Sequence, residues 1–508
     1  MKTDAGFFSA LGAKVGKANR LFTGIFRWAA ACGAALAVGL AAGCGGGGTT
    51  TTGGGGFGGG NTLMTVVVSS AANDQLTRFS LTLNSLTLTE KSGTSVAVVS
   101  APQQVEFIHL NGGAEPLLTV SVPQGTYTAA TATVGAASFT CAVQQQGSDT
   151  TSTYAYGATP SSQVTVNLPQ SLTVSGDTMA VSLEMLVSQS ASFPSDCYEQ
   201  GAQFSITPTF NLAAMTVAAQ ATNTTNGKMT ALEGLVLNTG GEANSFTVAS
   251  TDGTPVGSTM QTTWRVSTDG STVFQGIGNA EGLTAGMPVD MDGMLQGDGS
   301  VLATRVAVPD ASTTNLVVNS GPLEQVTTSV SLLNQVNQET EGAQPLVNGW
   351  PGYNFSNTIF ATWGGLTNVA SLPFAASFNA GNMVPGQTVA ITSHVTEVEP
   401  YPTLVPATVE TLMPQTINGT LMAVGTAGGF TTYTVELAAY DLFPQFAVQA
   451  GVPTLLTNPQ TVVVYADTNT QVVAVPSAGG AARFTGVIFD DNGTLRMDCT
   501  QVSAGVTE

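Results

Sequence analysis

The 508-residue chain is poor in charge, in basic residues and in histidine: 9% of positions are charged, Lys and Arg number 12 against 32 Asp and Glu, and there are 2 His. A soluble domain ordinarily has about a quarter of its residues charged, so this surface must be wetted by Thr, Ser, Asn, Gln and Gly. A Ser-His-Asp or Cys-His site has only His109 and His394 to draw on. Each reads more simply as a satisfied side chain on a strand. No basic run follows Arg27, which excludes the phosphate-neutralising contacts of nucleic-acid binding and any attraction to anionic lipid headgroups. The five Cys include no C-x-x-C pair, which excludes a conventional zinc site. No Gly-x-Ser-x-Gly elbow and no phosphate loop occur. No cofactor is implied.

The N-terminus is where the basic residues gather. Lys2, Lys14, Lys17, Arg20 and Arg27 precede an uncharged run from Trp28 to Gly43, shorter than the roughly 20 residues of a membrane-spanning helix and closed by small residues. That is the geometry of an export signal over residues 1–43. Its closing residues Leu40-Ala41-Ala42-Gly43-Cys44 resemble the lipobox of bacterial lipoproteins, with Ala41 where that family most often has Leu. The resemblance implies that Cys44 is acylated and becomes the new N-terminus, anchoring the chain to a membrane. Gly45, which is not an inner-membrane retention signal in that class, points to the outer membrane. Residues 44–61 are a Gly/Thr-rich tether too poor in apolar side chains to form a core. Removal of the signal takes away five of the Lys and Arg but only Asp4, so the net charge of −20 becomes about −24, which favours solubility at a surface.

Beyond the tether, β-branched residues alternate with polar ones and helix formers are few, so the expected fold class is all-β. A leading β-sandwich-like domain is expected over 62–217, with an alternating strand at Phe79-Ser80-Leu81-Thr82-Leu83 and a turn at Pro123-Gln124-Gly125. A linker of Asn, Thr and Gly spans 218–228. Three tandem small β-barrel or β-sandwich units follow at 229–310, 315–412 and 415–502. The first passes from Leu232-Glu233-Gly234 through Gly282-to-Val289 to a hairpin turn at Asp298-Gly299. The third opens at Ile417-Asn418-Gly419 and closes around Asn492-Gly493, while Asn382-to-Val389 marks a divergent middle unit carrying Pro400, Pro402 and Pro406. Two family resemblances rest on these motifs. Val122, Pro123, Gly125 and Tyr127 give residues 62–140 a resemblance to domain of unknown function 4382, found in bacterial lipoproteins, and the three units, over 229–502, resemble domain of unknown function 5666. Neither family implies an activity.

Candidate site residues are few. With Cys32 in the signal and Cys44 acylated, Cys141 and Cys197 share the leading domain and form the natural disulfide, worth about 4 kcal/mol in the chain-entropy account. Cys499 is left over and reads as a buried strand residue. Asp290 and Asp292 share one face of a strand and, with Asp298, form a weak calcium candidate, although Asp298 also suits a turn. Trp264, Trp350, Trp363, Tyr353 and Tyr401 are candidates for stacking on sugars or for burial. The expected function is that of a non-catalytic, lipid-anchored cell-envelope protein presenting β domains to a glycan or protein partner, with no nucleic acid. The alternatives are a carboxylate-dependent polysaccharide-cleaving enzyme and a purely structural spacer.

Overall fold

Alternating β-branched runs form 31 strands among the described residues of a computed structural model. The described residues are 60–71, 76–110, 113–144, 151–158, 163–190, 206–239, 244–251, 259–313, 316–333, 337–338, 352–363, 369–394, 404–438, 441–446, 458, 460–472 and 474–504. The protein is all-β: one large leading sheet, two closed five-stranded barrels and a related sheet between them.

The leading sheet is built from β1 (Asn61–Ala71), β2 (Leu76–Glu90), β3 (Ser95–Val99), β4 (Gln103–Glu106), β5 (Glu115–Pro123), β6 (Gly125–Gln144), β7 (Thr151–Ala158), β8 (Gln163–Asn167), β9 (Leu172–Val174), β10 (Thr178–Leu186) and β11 (Phe210–Met215). Its order is β3-β2-β6-β8-β11-β10-β1-β5, with β4 on β2 and β7 and β9 on β6. The expected sandwich takes the form of this single sheet, curled into a nearly closed barrel. Phe79, Leu81 and Leu83 of β2 line its core as their alternation requires. The alternation of β2 is interrupted beyond Leu81, where its register against β6 slips between Leu81 and Ser85. Tyr127 is buried and its hydroxyl donates to Pro123 O at 2.8 Å, closing the turn ahead of β6. Burial, with the nearby Glu90 carboxylate, raises the Tyr127 phenol above its usual range.

The first small barrel comprises β12 (Lys228–Asn238), β13 (Ser245–Ser250), β14 (Thr263–Ser267), β15 (Val273–Gln275), β16 (Pro288–Leu295) and β17 (Val301–Ala307). The order β14-β13-β12-β16-β17 closes through parallel pairing of β14 with β17. Numbered within the barrel this is 1-2-3-5-4-1, the five-stranded Greek-key order of the oligonucleotide/oligosaccharide-binding barrel. The middle unit runs β18 (Leu316–Val326), β19 (Val330–Leu333), β20 (Asn337–Gln338), β21 (Gly352–Asn354), β22 (Ile359–Thr362), β23 (Thr388–His394), β24 (Val405–Pro406) and β25 (Val409–Leu412). It follows the same order, but its fifth strand is split: β24 pairs with β21 and β25 with β23. The break follows Pro406, which has no N–H to give a ladder. The last barrel repeats the closed form with β26 (Gln415–Ala427), β27 (Phe430–Leu437), β28 (Thr461–Ala466), β29 (Gln471–Val472), β30 (Ala481–Asp491) and β31 (Thr494–Ala504). A small barrel brings strands together tightly at its bends, and a Cβ on Gly234 or Gly419 would strike Ala249 O or Glu436 O across the ladder.

Specific contacts join these units. The run Met64-Thr65-Val66-Val67-Val68 is buried on both faces, Val66 and Val68 in the leading core and Val67, with Ala180, in the core of the first barrel. Trp264 Nε1 donates to Pro116 O at 2.9 Å across the same junction. Gln387 of the middle unit donates from Nε2 to Ile488 O of β30 at 2.8 Å, and Val487 and Phe489 of β30 pack into the middle core. Among the described residues no helix is long and apolar enough to cross a membrane.

Candidate functional site

The residues singled out in the sequence do not converge. Cys44, Cys197, Trp350 and Tyr401 lie outside the described residues, so the Cys141–Cys197 disulfide does too; the Cys141 backbone sits in β6 opposite Leu76 and Tyr154. Cys499 is buried on β31, its thiol donates to Gln501 O at 3.1 Å, and burial pushes that thiol up. Trp264, Trp363 and Tyr353 are core residues, which withdraws all three from a sugar-stacking surface.

Asp290 and Asp292 do share a face of β16, but the space between them is filled by Arg305 of β17. Arg305 Nη2 reaches Asp290 Oδ1 at 2.9 Å and Nε reaches Asp292 Oδ2 at 2.7 Å. Asp292 Oδ1 also accepts from the amide of Ala231, which has φ 53° in a bulge of β12. The Trp363 ring of the middle unit lies over the guanidinium at 4.9 Å. Asp298 is elsewhere, in the β16–β17 turn, accepting from Ser300 and pairing with exposed Arg265. The calcium candidate is therefore corrected: two of its carboxylates neutralise an arginine that fastens the first barrel to the middle unit, and the third shapes a turn. Burial first, then the neighbouring Asp292 charge, raises Asp290 to about 6 against the pull of Arg305.

The two histidines are also paired. His109 lies in the turn after β4 rather than on a strand, with Nδ1 2.9 Å from Glu106 and Nε2 2.9 Å from Glu115. Burial opposes ionisation of Glu106, but His109 and the amides of Phe79 and His109 outweigh it and hold that carboxyl below its ordinary value. His394, at the end of β23, has Nε2 3.0 Å from Asp310.

A different constellation appears when the three small units are matched by strand register. Among the residues that point into each barrel, five positions set the middle unit apart. In the first they are Leu232, Phe246, Val266, Gly293 and Val306, and in the last Ile417, Tyr433, Val464, Gly486 and Val502. In the middle unit the same positions are Asn319, Ser331, Tyr353, Ser393 and Glu410. Hydrophobic, aromatic or glycine positions in the outer barrels have all become polar in the middle one, and none of the five is more than 2% exposed. Asn319 Nδ2 donates to Tyr353 Oη at 2.7 Å. Neither oxygen of Glu410 has a hydrogen-bond partner, and the hydroxyls of Ser331 and Ser393 have none. Burial lifts Glu410 to about 8; Ser331, facing it outside normal hydrogen-bond geometry, pulls the other way. Burial, with the Glu410 charge nearby, also raises the Tyr353 phenol.

Sequence reading missed this cluster because Val409-Glu410-Thr411-Leu412 looks like any edge strand with one solvated acid. The signal was the repeat itself: once Ile391 is registered against Met291 and Phe484, Glu410 falls where Val306 and Val502 stand.

Comparison with known proteins agrees with part of the repeat. No curated protein and no solved structure matches the chain. No match to domain of unknown function 4382 is found, whereas residues 226–307, the first barrel, match the family described as domain of unknown function 5666.

Proposed function

We propose that this protein is a non-catalytic, lipid-anchored component of a bacterial cell envelope, most simply of the outer membrane, that presents its last barrel to a protein partner. The observation that carries the reading is the β26–β27 hairpin. Its strands run on past the core, and Met422, at a register shift in β26, and Val424 just beyond it are each 55% exposed. An apolar, backbone-stiffened hairpin is the kind of surface a protein partner covers. A protein is favoured over a glycan because Trp264, Trp363 and Tyr353 are buried. The lipobox resemblance at Cys44 and the Gly/Thr tether that follows it support the anchor. Against the polysaccharide-cleaving alternative stands the engagement of two close carboxylate pairs, Asp290 with Asp292 on Arg305 and Glu106 with Glu115 on His109.

A purely structural spacer is the second reading, favoured by the fastened joints at Trp264, Arg305 and Gln387. The test uses full-length protein extracted from membranes. Cys44→Ala should move the chain from the membrane to the soluble fraction. Met422→Asp with Val424→Asp should weaken saturable binding to isolated envelopes by roughly tenfold or more. Unchanged partition of Cys44→Ala would remove the anchor, and equal binding by the hairpin variant would leave the spacer.

A further inference from the structure

We propose that the interior of the middle unit is a binding site for a monovalent cation, held by the Glu410 carboxylate and the neutral oxygens around it. This does not depend on the envelope reading.

The first support is substitution by position. A repeat whose outer copies fill five inward positions with Leu, Ile, Phe, Tyr, Val and Gly has, in its middle copy, Asn319, Ser331, Tyr353, Ser393 and Glu410. Polar residues in a barrel core cost stability unless every group is satisfied. The second support is that they are not satisfied by the protein. Both carboxylate oxygens of a fully buried Glu410 lack partners, as do the Ser331 and Ser393 hydroxyls. A native core leaves such groups open where water or an ion belongs.

The chemistry of the donors selects the guest. Glu410, Ser331 and Tyr353, with the amide of Asn319 bonded to Tyr353, offer oxygen; neither imidazole nor thiolate lies among them, which sets aside zinc and its relatives. Only one carboxylate is present, whereas calcium sites usually gather several. Ser331 and Tyr353 lie close to Glu410, Asn319 is bonded to Tyr353, and among the described residues no cationic side chain is seen to act on the carboxylate. One negative charge amid neutral oxygens balances one positive charge. Entry of the cation displaces the carboxyl proton, which leaves for solvent, so the site stays neutral in both states.

The test is the thermal unfolding midpoint of the full chain in NaCl, in KCl and in choline chloride at one ionic strength, between pH 6 and pH 9. Wild type should melt higher in NaCl or KCl than in choline chloride by roughly 2–4 °C or more, with the gap widening as pH rises because proton and cation compete. The salt of the larger response identifies the preferred ion. Glu410→Gln keeps the shape and should close the gap, and Glu410→Val, the residue of the sister barrels, should fold and show no gap. Equal midpoints in the three salts for wild type would overturn the proposal and make the cluster a hydrated core. A gap that persists in Glu410→Gln would overturn it as well, because the ion would then be bound elsewhere.

Discussion

Replacing Arg305 by Met isolates the fastening between the first barrel and the middle unit. Arg305 is 6% exposed and carries ion pairs of 2.9 Å to Asp290 and 2.7 Å to Asp292 while lying against the Trp363 ring. Met fills a similar volume but leaves two buried carboxylates unpaired on one strand. Removing one partner from a buried pair typically costs about 3–5 kcal/mol. The penalty should depend on pH in a defined direction. Asp290 already titrates near 6 in the folded protein, raised from its ordinary range by burial, so the folded state holds a proton that the unfolded chain has released. Loss of the guanidinium raises it further, so the variant's deficit grows as pH rises above about 6 and shrinks in acid. Urea unfolding followed by tryptophan fluorescence at pH 5 and pH 8 measures both effects, because Trp363 sits on the altered group. Adding Asp290→Asn and Asp292→Asn to Arg305→Met should recover much of the loss. A deficit below about 1 kcal/mol at pH 8, or one equal at the two pH values, would refute the view of Arg305 as a desolvated clasp.

Glu410, raised by burial to about 8, should make wild-type stability in choline-buffered solution fall as pH rises from about 4.5 to about 8 and level off above, by up to about 5 kcal/mol. Glu410→Val should lose that slope in urea titrations, and a variant with an unchanged slope would place the titration elsewhere. Gly419→Ala, whose new Cβ would strike Glu436 O, should cost roughly 1–3 kcal/mol of stability, seen as a lowered calorimetric unfolding midpoint. Trp264→Phe removes the donor to Pro116 O and should cost about 1–3 kcal/mol, seen as faster hydrogen exchange where β5 meets β14.

Local chemistry alone was enough for the all-β class, the strand alternation around Phe79, the Asp298-Gly299 turn and the kinship of the first and last units, because strand periodicity, turn residues and Gly positions are written residue by residue. The same reasoning placed Asp290 and Asp292 on one face. It could not supply Arg305, which reaches them only because β16 and β17 pair in a particular register. Closure of each barrel through its parallel third and fifth strands is likewise a long-range decision, made by which apolar faces can be buried together. His109 looked like part of a strand and became the bridge between Glu106 and Glu115 once the turn after β4 brought them together. Glu410 is the sharpest case. The sequence determined that an acid stands between Val409 and Thr411, and only the tertiary structure decided that it faces the barrel interior, since strand register, not composition, sets which side of a sheet a residue occupies.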